Sequence, residues 1–500
     1  MAASTERLTK RNLWSFTLAS IGRDTATYLW SGFLITYVLY TKTLSDAQFS
    51  VLSVIMVSAR VFDAFNDPVM GNVLEVTRTK WGKFKPWIAL GMVFSAAVYL
   101  VSFTTTLDGW HYVVLFGILY FAYSIVFTMN DIAYWGMLPS LASEKSDRDL
   151  LTSRAVLFAG IGAAIAVLIV PTFTAGERAI GGSAVSAYRV IVLLFAALFI
   201  GAQMITLVGV KEKPLPPKGA ATVNKVSLGT IFRTIKNNDQ LSWCILVFIL
   251  AAIGRDLLNG GLGSMYIYFE FGYNGFLVTV FAALGAVASA AVMLFYAPIS
   301  KRFTRGQLMR IAVWSTLGGY AAMLLFGLAL PPAWGAVKFA LMMLSNLFAF
   351  GGQSVYYLVI MICIVNTVEY NEWKTGARAE GIIYSVRPFV TKLAGAFVQL
   401  TAAAIFVISG VRNFTNQISA LENAAAKGLS EAARIGGIKD ILANVPPGKS
   451  AALLVCMTVI PSVLALASYL VYRKKFIIDE AYYDRMLADL ARRKEAAASD

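Results

Sequence analysis

Long apolar segments recur along the chain at intervals of about thirty to forty residues, with short polar or charged stretches between them. Each segment is long enough to cross a bilayer, for which about 20 residues suffice. The pattern predicts an all-α integral membrane protein with twelve transmembrane helices. The predicted spans are about 13–40, 47–75, 87–105, 112–139, 153–173, 188–209, 241–271, 275–299, 308–330, 337–366, 381–409 and 451–472.

Composition agrees with a membrane protein, because 58% of the residues are hydrophobic and only 14% are charged. A soluble protein has about 25% charged residues. The first apolar segment continues to about Tyr40, too long for the core of a signal peptide. Cys244, Cys363 and Cys456 lie in separate apolar segments without metal-binding spacing. We find no phosphate-binding loop, so we do not expect an ATP-driven pump. The sequence also shows no nucleophile–base or metal set, so it predicts no enzyme, and we expect no cofactor.

The positive residues behind the net charge of +15 are concentrated in the loops. Most of the 43 lysines and arginines fall in loops that lie on the cytoplasmic side if the N-terminus is cytoplasmic. The positive charge therefore indicates topology and not nucleic-acid binding. We expect a multi-pass protein of the bacterial inner (cytoplasmic) membrane, with both termini in the cytoplasm and the lipid bilayer as its surroundings.

The apolar segments fall into two blocks of six that repeat a short motif. Ile21–Asp24 reads IGRD in the first helix, and Ile253–Asp256 reads IGRD in the seventh. Such a repeat at equivalent positions indicates a duplicated fold with parallel repeats, as in the major facilitator arrangement. The predicted domains are an N-terminal six-helix bundle (1–210), a cytoplasmic linker (211–240), a C-terminal six-helix bundle (241–472) with an external loop (410–450), and a cytoplasmic tail (473–500).

Ionisable residues inside the apolar segments point to function. Each costs roughly 2.5–3.5 kcal/mol at the bilayer centre, so such residues pair with one another or face a polar cavity. The set comprises Arg23, Asp24, Arg60, Asp63, Asp67, Asp131, Arg154, Arg255, Asp256, Arg387 and Lys392.

The second helix has the densest cluster. Arg60, Asp63, Asn66 and Asp67 fall within about 120° of one another on a helix. Two carboxylates four residues apart repel each other unless a positive charge lies between them. Carboxylate and amide oxygens suit a hard monovalent cation, or the carboxylates share a proton.

The fourth helix presents Thr128, Asp131 and Trp135 on one face, where an indole can stack on a sugar ring. In the first half, three arginines face four aspartates, so one positive charge is missing. A bound cation could supply it, or Lys392 from the second half. The alternative is a set of internal salt bridges that only holds the helices together.

Several motifs resemble the glycoside–pentoside–hexuronide:cation symporters, the family typified by the melibiose permease. The motifs are DAFNDPVMG at 63–71, TRTKWGKFKPW at 77–87, NDIAYW at 130–135 and VEYNEWKTG at 368–376, followed by the segment from Tyr384 to Lys392. The resemblance spans nearly the whole chain and implies the major facilitator fold.

The resemblance also implies roles for matching residues. The implied sodium site is Asp63, Asn66, Asp67 and Thr128, with Lys392 approaching it. The implied sugar contacts are Asp24, Asp131, Trp135, Arg154, Arg23 and Tyr357, the last replacing a tryptophan. The implied cytoplasmic gate comprises Arg78, Lys80 and Lys83, with Glu369 in the second half.

The chain departs from the family pattern near the implied sugar site. Arg387 stands where the family has an uncharged polar residue, and Arg255–Asp256 is an extra charged pair. Added arginines would suit a carboxylated or sulfonated sugar. Alternatively Arg387 pairs with Asp256 or Asp24, which we favour.

The expected function is therefore secondary active symport. Entry of Na⁺, or of H⁺, drives uptake of a sugar, glycoside or hexuronide by alternating access. The rival hypotheses are a proton-coupled carrier of an anionic sugar, a lipid or amphiphile transporter of the same fold, and a non-transporting membrane sensor.

Overall fold

The computed structural model describes residues 8–142, 144–212, 228–376 and 380–499, and their regular structure is helical. The first helices are α1 (Lys10–Thr17), α2 (Ala19–Thr41), α3 (Asp46–Val76), α4 (Lys85–Thr104), α5 (Gly109–Leu141), α6 (Lys145–Thr174) and α7 (Ala184–Gly209). They are followed by α8 (Leu228–Asn237), α9 (Asp239–Asp256), α10 (Gly263–Phe271), α11 (Gly275–Ser300), α12 (Arg305–Ala329), α13 (Gly335–Thr375), α14 (Glu380–Ile408), α15 (Arg412–Ala425), α16 (Glu431–Ala443), α17 (Pro447–Lys475) and α18 (Glu480–Ser499).

Among the described residues, ten helices are long and apolar enough to cross a membrane. The bent pair α9 and α10 makes an eleventh span if it crosses as one. The remaining predicted span corresponds to α2, whose 23 residues exceed the length needed. The prediction of an all-α membrane protein is confirmed.

The seventh predicted span differs from the prediction of one continuous helix. α9 ends at Asp256, α10 begins at Gly263, and the two are bent by 40° at the break. Gly261 has φ 103°, a left-handed conformation that favours glycine. Apolar periodicity continues through the break, which is why the pattern alone predicted a single helix.

Unit 1 of the fold contains α1–α7 together with residues 267–279 and 406–445. In it, α2 packs against α6 and α7, and α4 packs against α5 and α7. Aromatic rings fill the interior around Trp30, which stacks on Tyr123 with ring centroids 4.1 Å apart. This packing fixes the position of α5, and α3 packs against α5, so the two helices that carry the candidate cation residues are in contact.

The segment predicted as an external loop (410–450) forms the helical hairpin α15–α16 in unit 1, here called the cap. Its centre is an ion pair between Arg434 Nη1 and Glu422 Oε1, 2.7 Å apart, with both side chains fully buried. Arg434 Nη2 also donates to the Gly176 carbonyl at 2.9 Å. Burial raises the pKa of Glu422, although Arg434 acts in the opposite direction. Arg412 Nη2 attaches the cap to the Leu44 carbonyl at 2.6 Å.

Unit 2 contains residues 224–266, 280–405 and 446–500. In it, α12 packs against α13 and α17, and α9 packs against α13 and α17. The tail forms α18, and Glu480 at its start is 3.1 Å from Arg305 Nε of α12. Most of the segment predicted as a tail (473–500) is therefore helical.

Candidate functional site

The four predicted cation residues lie on two helices of unit 1 that face each other. Ser124 Oγ of α5 donates a hydrogen bond to Asp63 Oδ1 of α3. Asn66 Nδ2 donates to the Ser124 carbonyl at 3.2 Å, and Thr128 Oγ1 donates to Asp67 Oδ1 at 3.2 Å. Carboxylate, amide and hydroxyl groups of α3 and α5 therefore meet along one helix–helix contact.

Arg60 lies at the edge of this group. Its Nη1 is 3.7 Å from Asp63 Oδ2, longer than the 2.7–2.9 Å typical of a charge-assisted hydrogen bond. Asp63 is buried, with 6% of its surface exposed. The arginine therefore reduces the local negative charge at a distance, without a tight bond to the carboxylate.

Ser124 was missed by the sequence analysis. It lies four residues before Thr128, so the two hydroxyls occupy one face of α5. That spacing was the available signal, but serine is common in helices and its hydroxyl usually bonds the preceding turn. Its partner on α3 is visible only in the folded chain.

A second cluster in unit 1 surrounds Arg23 of α2. Its guanidinium is 2.9 Å from Asp24 Oδ2 and 3.1 Å from Asp131 Oδ1. Its Cζ lies 4.5 Å from the ring centroid of Tyr134 and 5.0 Å from that of Trp135. One arginine thus holds two carboxylates and rests on two aromatic rings.

Exposure differs sharply within the Arg23 cluster. The arginine side chain is 4% exposed, whereas those of Asp24 and Asp131 are 25% and 40% exposed. The carboxylates can therefore accept hydrogen bonds from a solute while the guanidinium holds them in place. Tyr134, which the sequence analysis did not select, is fixed by its hydrogen bond with Ser20 Oγ at 2.8 Å.

Arg154 of α6 lies against an aromatic ring of α1. Its Cζ lies 5.0 Å from the ring of Trp14 in α1. A cation over an indole is a favourable contact in itself. Arg154 was predicted to contact the sugar, and that role stays a prediction.

The predicted residues of unit 2 lie on three helices. Arg255 Nε of α9 is 2.7 Å from Asp256 Oδ1, and its Cζ is 4.7 Å from the ring of Tyr357 in α13. Lys392 is half-buried in α14. Arg387 also belongs to α14, but its side chain lies outside the described residues.

The predicted gate loop of unit 1 is well fixed. Lys83 Nζ is 2.8 Å from Glu75 Oε1, and Glu212 accepts hydrogen bonds from the backbone N–H groups of Lys83 and Lys85 at 2.8 and 3.0 Å. Arg78 Nη1 donates to the backbone carbonyls of Glu75, in the last turn of α3, and of Thr77. Lys80 is exposed, and Glu369 is half-buried on α13 of unit 2.

The donor set restricts which ion can bind. Within the described parts of the chain, no group of three or more His, Cys, Asp or Glu residues could hold a metal ion. The α3–α5 contact instead combines two carboxylates with amide and hydroxyl oxygens. Oxygen ligands of this kind are typical of hard cations.

Comparison with known proteins gives a family match over nearly the whole chain. The model of the family described as MFS/sugar transport protein matches residues 18–480. A lactose permease of Lactobacillus helveticus is 27% identical over 418 residues, which is 79% of this chain and 62% of that protein. A glucuronide carrier protein homolog of Escherichia coli is 26% identical over 461 residues, 89% of this chain and 90% of that protein. The chain thus spans less than two thirds of the lactose permease.

Solved structures show the same fold at low sequence identity. The nucleoside transporter NupG aligns with a TM-score of 0.58 and 14% identity, covering 93% of this chain and 100% of that chain. A D-xylose–proton symporter aligns with a TM-score of 0.53 and 15% identity, covering 86% of this chain and 96% of that chain.

Proposed function

Because the chain belongs to the family of MFS/sugar transport proteins, we propose that it couples entry of Na⁺ to uptake of a sugar, glycoside or hexuronide by alternating access. The resemblance found in the sequence motifs is confirmed at the level of the family. Relatives named for lactose and glucuronide carriage support a sugar-like solute. We further propose a bacterial inner membrane location with both termini cytoplasmic.

The α3–α5 contact supports the coupling step. Asp63 and Asp67 lie on one face of α3, opposite the hydroxyls of Ser124 and Thr128. Two carboxylates this close repel each other, and a cation between them relieves the repulsion. Among the charges predicted inside the membrane in the first half, four aspartates stand against three arginines, so one negative charge is unbalanced. Na⁺ bound among these oxygens would restore neutrality.

The Arg23 cluster supports solute recognition. Asp24 and Asp131 present partly exposed carboxylate oxygens, and sugar hydroxyls are good donors to such groups. Trp135 provides an aromatic surface beside them for the apolar face of a ring. In this proposal the cation binds first and the solute second.

The membrane potential would then drive accumulation. An inward-negative potential contributes about 2.3 kcal/mol per charge per 100 mV. At about 1.4 kcal/mol per tenfold change, one coupled cation gives roughly 40-fold accumulation.

Proteoliposomes containing the purified protein test the proposal. A panel of neutral sugars, glycosides and hexuronides is offered with an inward Na⁺ gradient, an inward H⁺ gradient, or neither. We expect one chemical group of solutes to accumulate above equilibrium with the Na⁺ gradient alone. Accumulation that requires only the H⁺ gradient would mean that H⁺, and not Na⁺, is the coupling ion. Equilibration without accumulation under every gradient would contradict symport.

A further inference from the structure

A cavity of about 470 Å³ lies in unit 1, where the cap meets two turns between membrane-spanning helices. One wall is the turn between α6 and α7 at residues 175–178, and another is the turn between α10 and α11 at residues 271–274. The third wall is one face of α16. Cavities that hold small molecules typically have about 300–1,000 Å³. The cavity is therefore large enough for a ligand, and it contains none of the residues proposed to bind the cation or the sugar.

The ends of four helices put the cavity at the membrane surface. α6 ends at Thr174 and α7 begins at Ala184, while α10 ends at Phe271 and α11 begins at Gly275. The two turns of the cavity join these ends, at the level where the chain leaves the hydrocarbon layer. Lipid headgroups occupy this level of a bilayer. They are present there at a far higher local concentration than any dissolved solute.

Close packing of the two turns builds the floor of the cavity. A Cβ added to Gly176 would lie 2.5 Å from the Tyr273 carbonyl oxygen, and Gly176 has φ 76°, a conformation that favours glycine. The Tyr273 ring packs against Tyr40 of α2, with centroids 5.5 Å apart. Arg434 of the cap binds the Gly176 carbonyl. The floor is thus fixed by packing on α2 and by a hydrogen bond from the cap.

The wall formed by α16 is apolar. Ile435, Ile438 and Leu442 line the cavity, and their spacing of three and four residues places them on one face of the helix. On α11, directly after the second turn, Phe276 is 43% exposed. Apolar side chains beside a membrane surface suit a ligand that has an apolar part as well as a polar one.

The rim of the cavity is positively charged. Lys439 Nζ is 3.8 Å from Glu177 Oε1, a long contact between side chains that are 72% and 75% exposed. Arg178 forms no ion pair with any residue that the structure describes, and its Cζ lies 4.8 Å from the ring centroid of Phe276. Two cations therefore accompany one carboxylate at this rim, which favours an anionic ligand.

The positive-inside rule does not account for these two cations. On the proposed topology the cap and both turns are external, where lysine and arginine are depleted in membrane proteins. Arg178 and Lys439 come from different halves of the chain, and folding brings both to the rim of one cavity. Their convergence points to a ligand that needs both.

We propose that this cavity binds the headgroup of an anionic phospholipid such as phosphatidylglycerol. Arg178 and Lys439 hold the phosphate, because guanidinium and ammonium groups form strong charge-assisted hydrogen bonds with phosphate oxygens. The apolar side chains of α16 contact the glycerol and the first methylenes of the lipid. Bound lipid stabilises the folded protein and joins the cap to the membrane surface. The inference requires only that these helix ends reach a membrane surface, and it does not depend on the transported solute or the coupling ion.

Short-chain lipids titrated into the purified full-length protein in a non-ionic detergent test the inference. Dioctanoyl phosphatidylglycerol is compared with the zwitterionic dioctanoyl phosphatidylcholine and with glycerophosphoglycerol, which is the same headgroup without acyl chains. Native mass spectrometry measures the bound fraction of each. We expect phosphatidylglycerol to bind more tightly than the other two. For Arg178→Gln its affinity should fall at least about threefold, a modest loss because an exposed charge is partly screened by solvent.

Three further variants separate a built site from general attraction between charges. Glu177→Gln removes the carboxylate at the rim and should tighten the binding of phosphatidylglycerol, the opposite of the effect of Arg178→Gln. Lys427→Gln removes one positive charge from the turn between α15 and α16, outside the cavity lining, and should leave the affinity unchanged. Ile435→Trp fills the cavity without a change in charge and should abolish binding. A thermal unfolding curve of each variant checks that it is folded.

Three outcomes would overturn the inference. Equal losses in Arg178→Gln and Lys427→Gln would show only unspecific attraction of anionic lipid. Equally tight binding of phosphatidylcholine would show that the headgroup charge is not recognised. Equally tight binding of glycerophosphoglycerol would show a site for a dissolved phosphodiester and not for a lipid. None of these measurements involves uptake, so they leave the proposed symport untouched, and a failure of symport in proteoliposomes would leave the lipid site standing.

Discussion

Ser124 of α5 donates its hydroxyl hydrogen to Asp63 of α3, at the point where the two helices bring four oxygen-bearing side chains together. The bond fixes one carboxylate oxygen, and the other lies 3.7 Å from Arg60 Nη1 of α3. One turn further along, Thr128 and Asp67 repeat the arrangement. These two hydroxyl–carboxylate hydrogen bonds make the α3–α5 interface a candidate cation site.

Removal of the Ser124 hydroxyl should weaken cation coupling. Ser124→Ala loses a hydrogen bond to a charged group, which contributes about 1.5–3 kcal/mol. We expect the Na⁺ concentration for half-maximal uptake to rise at least about tenfold, with little change in solute affinity at saturating Na⁺. The measurement is initial uptake rate against Na⁺ concentration in proteoliposomes.

Ser102→Ala is the matched control. Ser102 is a buried serine of α4 whose hydroxyl has no hydrogen-bond partner among the described residues. Its removal should leave the Na⁺ dependence unchanged. Equal shifts in both variants would mean that a general loss of packing explains the Ser124 effect.

Arg23 should be coupled energetically to Asp131. Arg23→Gln leaves two neighbouring carboxylates without their common cation, so both stability and solute affinity should fall. Asp131→Asn removes part of the repulsion and should therefore cost less in the Arg23→Gln background than in the wild type. A double-mutant cycle on thermal stability measures this coupling. Strictly additive losses would show that the two side chains do not interact.

The cap should depend on its buried ion pair. Arg434→Met leaves the Glu422 carboxylate buried without its cation, a change that costs about 3–5 kcal/mol in comparable pairs. We expect a lower thermal unfolding temperature and faster proteolysis between α15 and α16. Replacement of both residues, as Arg434→Met with Glu422→Leu, should recover most of the loss. A double variant as unstable as the single one would show that other contacts of the two residues, such as the hydrogen bond from Arg434 to the Gly176 carbonyl, matter more than the charge of the pair.

Lys42, directly after α2, should give stability a distinct pH dependence. Burial lowers its pKa to about 8, and its Nζ donates to the carbonyls of Thr105 and Leu107 at 2.7 and 2.9 Å. Between that pKa and the value near 10.4 of an unfolded lysine, the unfolded chain binds more protons. Stability should therefore rise with pH across that interval. Comparison of the unfolding temperature at pH 7.5 and 9.5 should show a smaller rise in Lys42→Met; an equal rise would rule out this contribution.

Most of the fold follows from the sequence because membrane spans are long and their apolar character is continuous. The break after Asp256 was not predicted, since glycine pairs occur inside intact membrane helices as well as in broken ones. The segment of the cap was predicted only as an external loop (410–450). Its buried pair, Glu422 and Arg434, joins positions twelve residues apart, and such pairing requires the tertiary structure.

The candidate site was partly predictable for a simple geometric reason. Asp63 and Asp67 share a helix face at a spacing that sequence shows directly. Contacts between helices are not visible in that way, so Ser124 and the role of Tyr134 beneath Arg23 emerged only from the structure. The contact between Arg154 and the ring of Trp14 is likewise one that no spacing rule indicates.

Replacement of a single carboxylate in the α3–α5 contact tests the coupling claim most directly. Asp67→Asn keeps the size of the side chain and removes its charge, and it should be compared with the wild type in proteoliposomes under an inward Na⁺ gradient. We predict that the variant still exchanges labelled for unlabelled solute at equal concentrations but no longer accumulates it. Gradient-driven accumulation at the wild-type level in Asp67→Asn would contradict a coupling cation at this site.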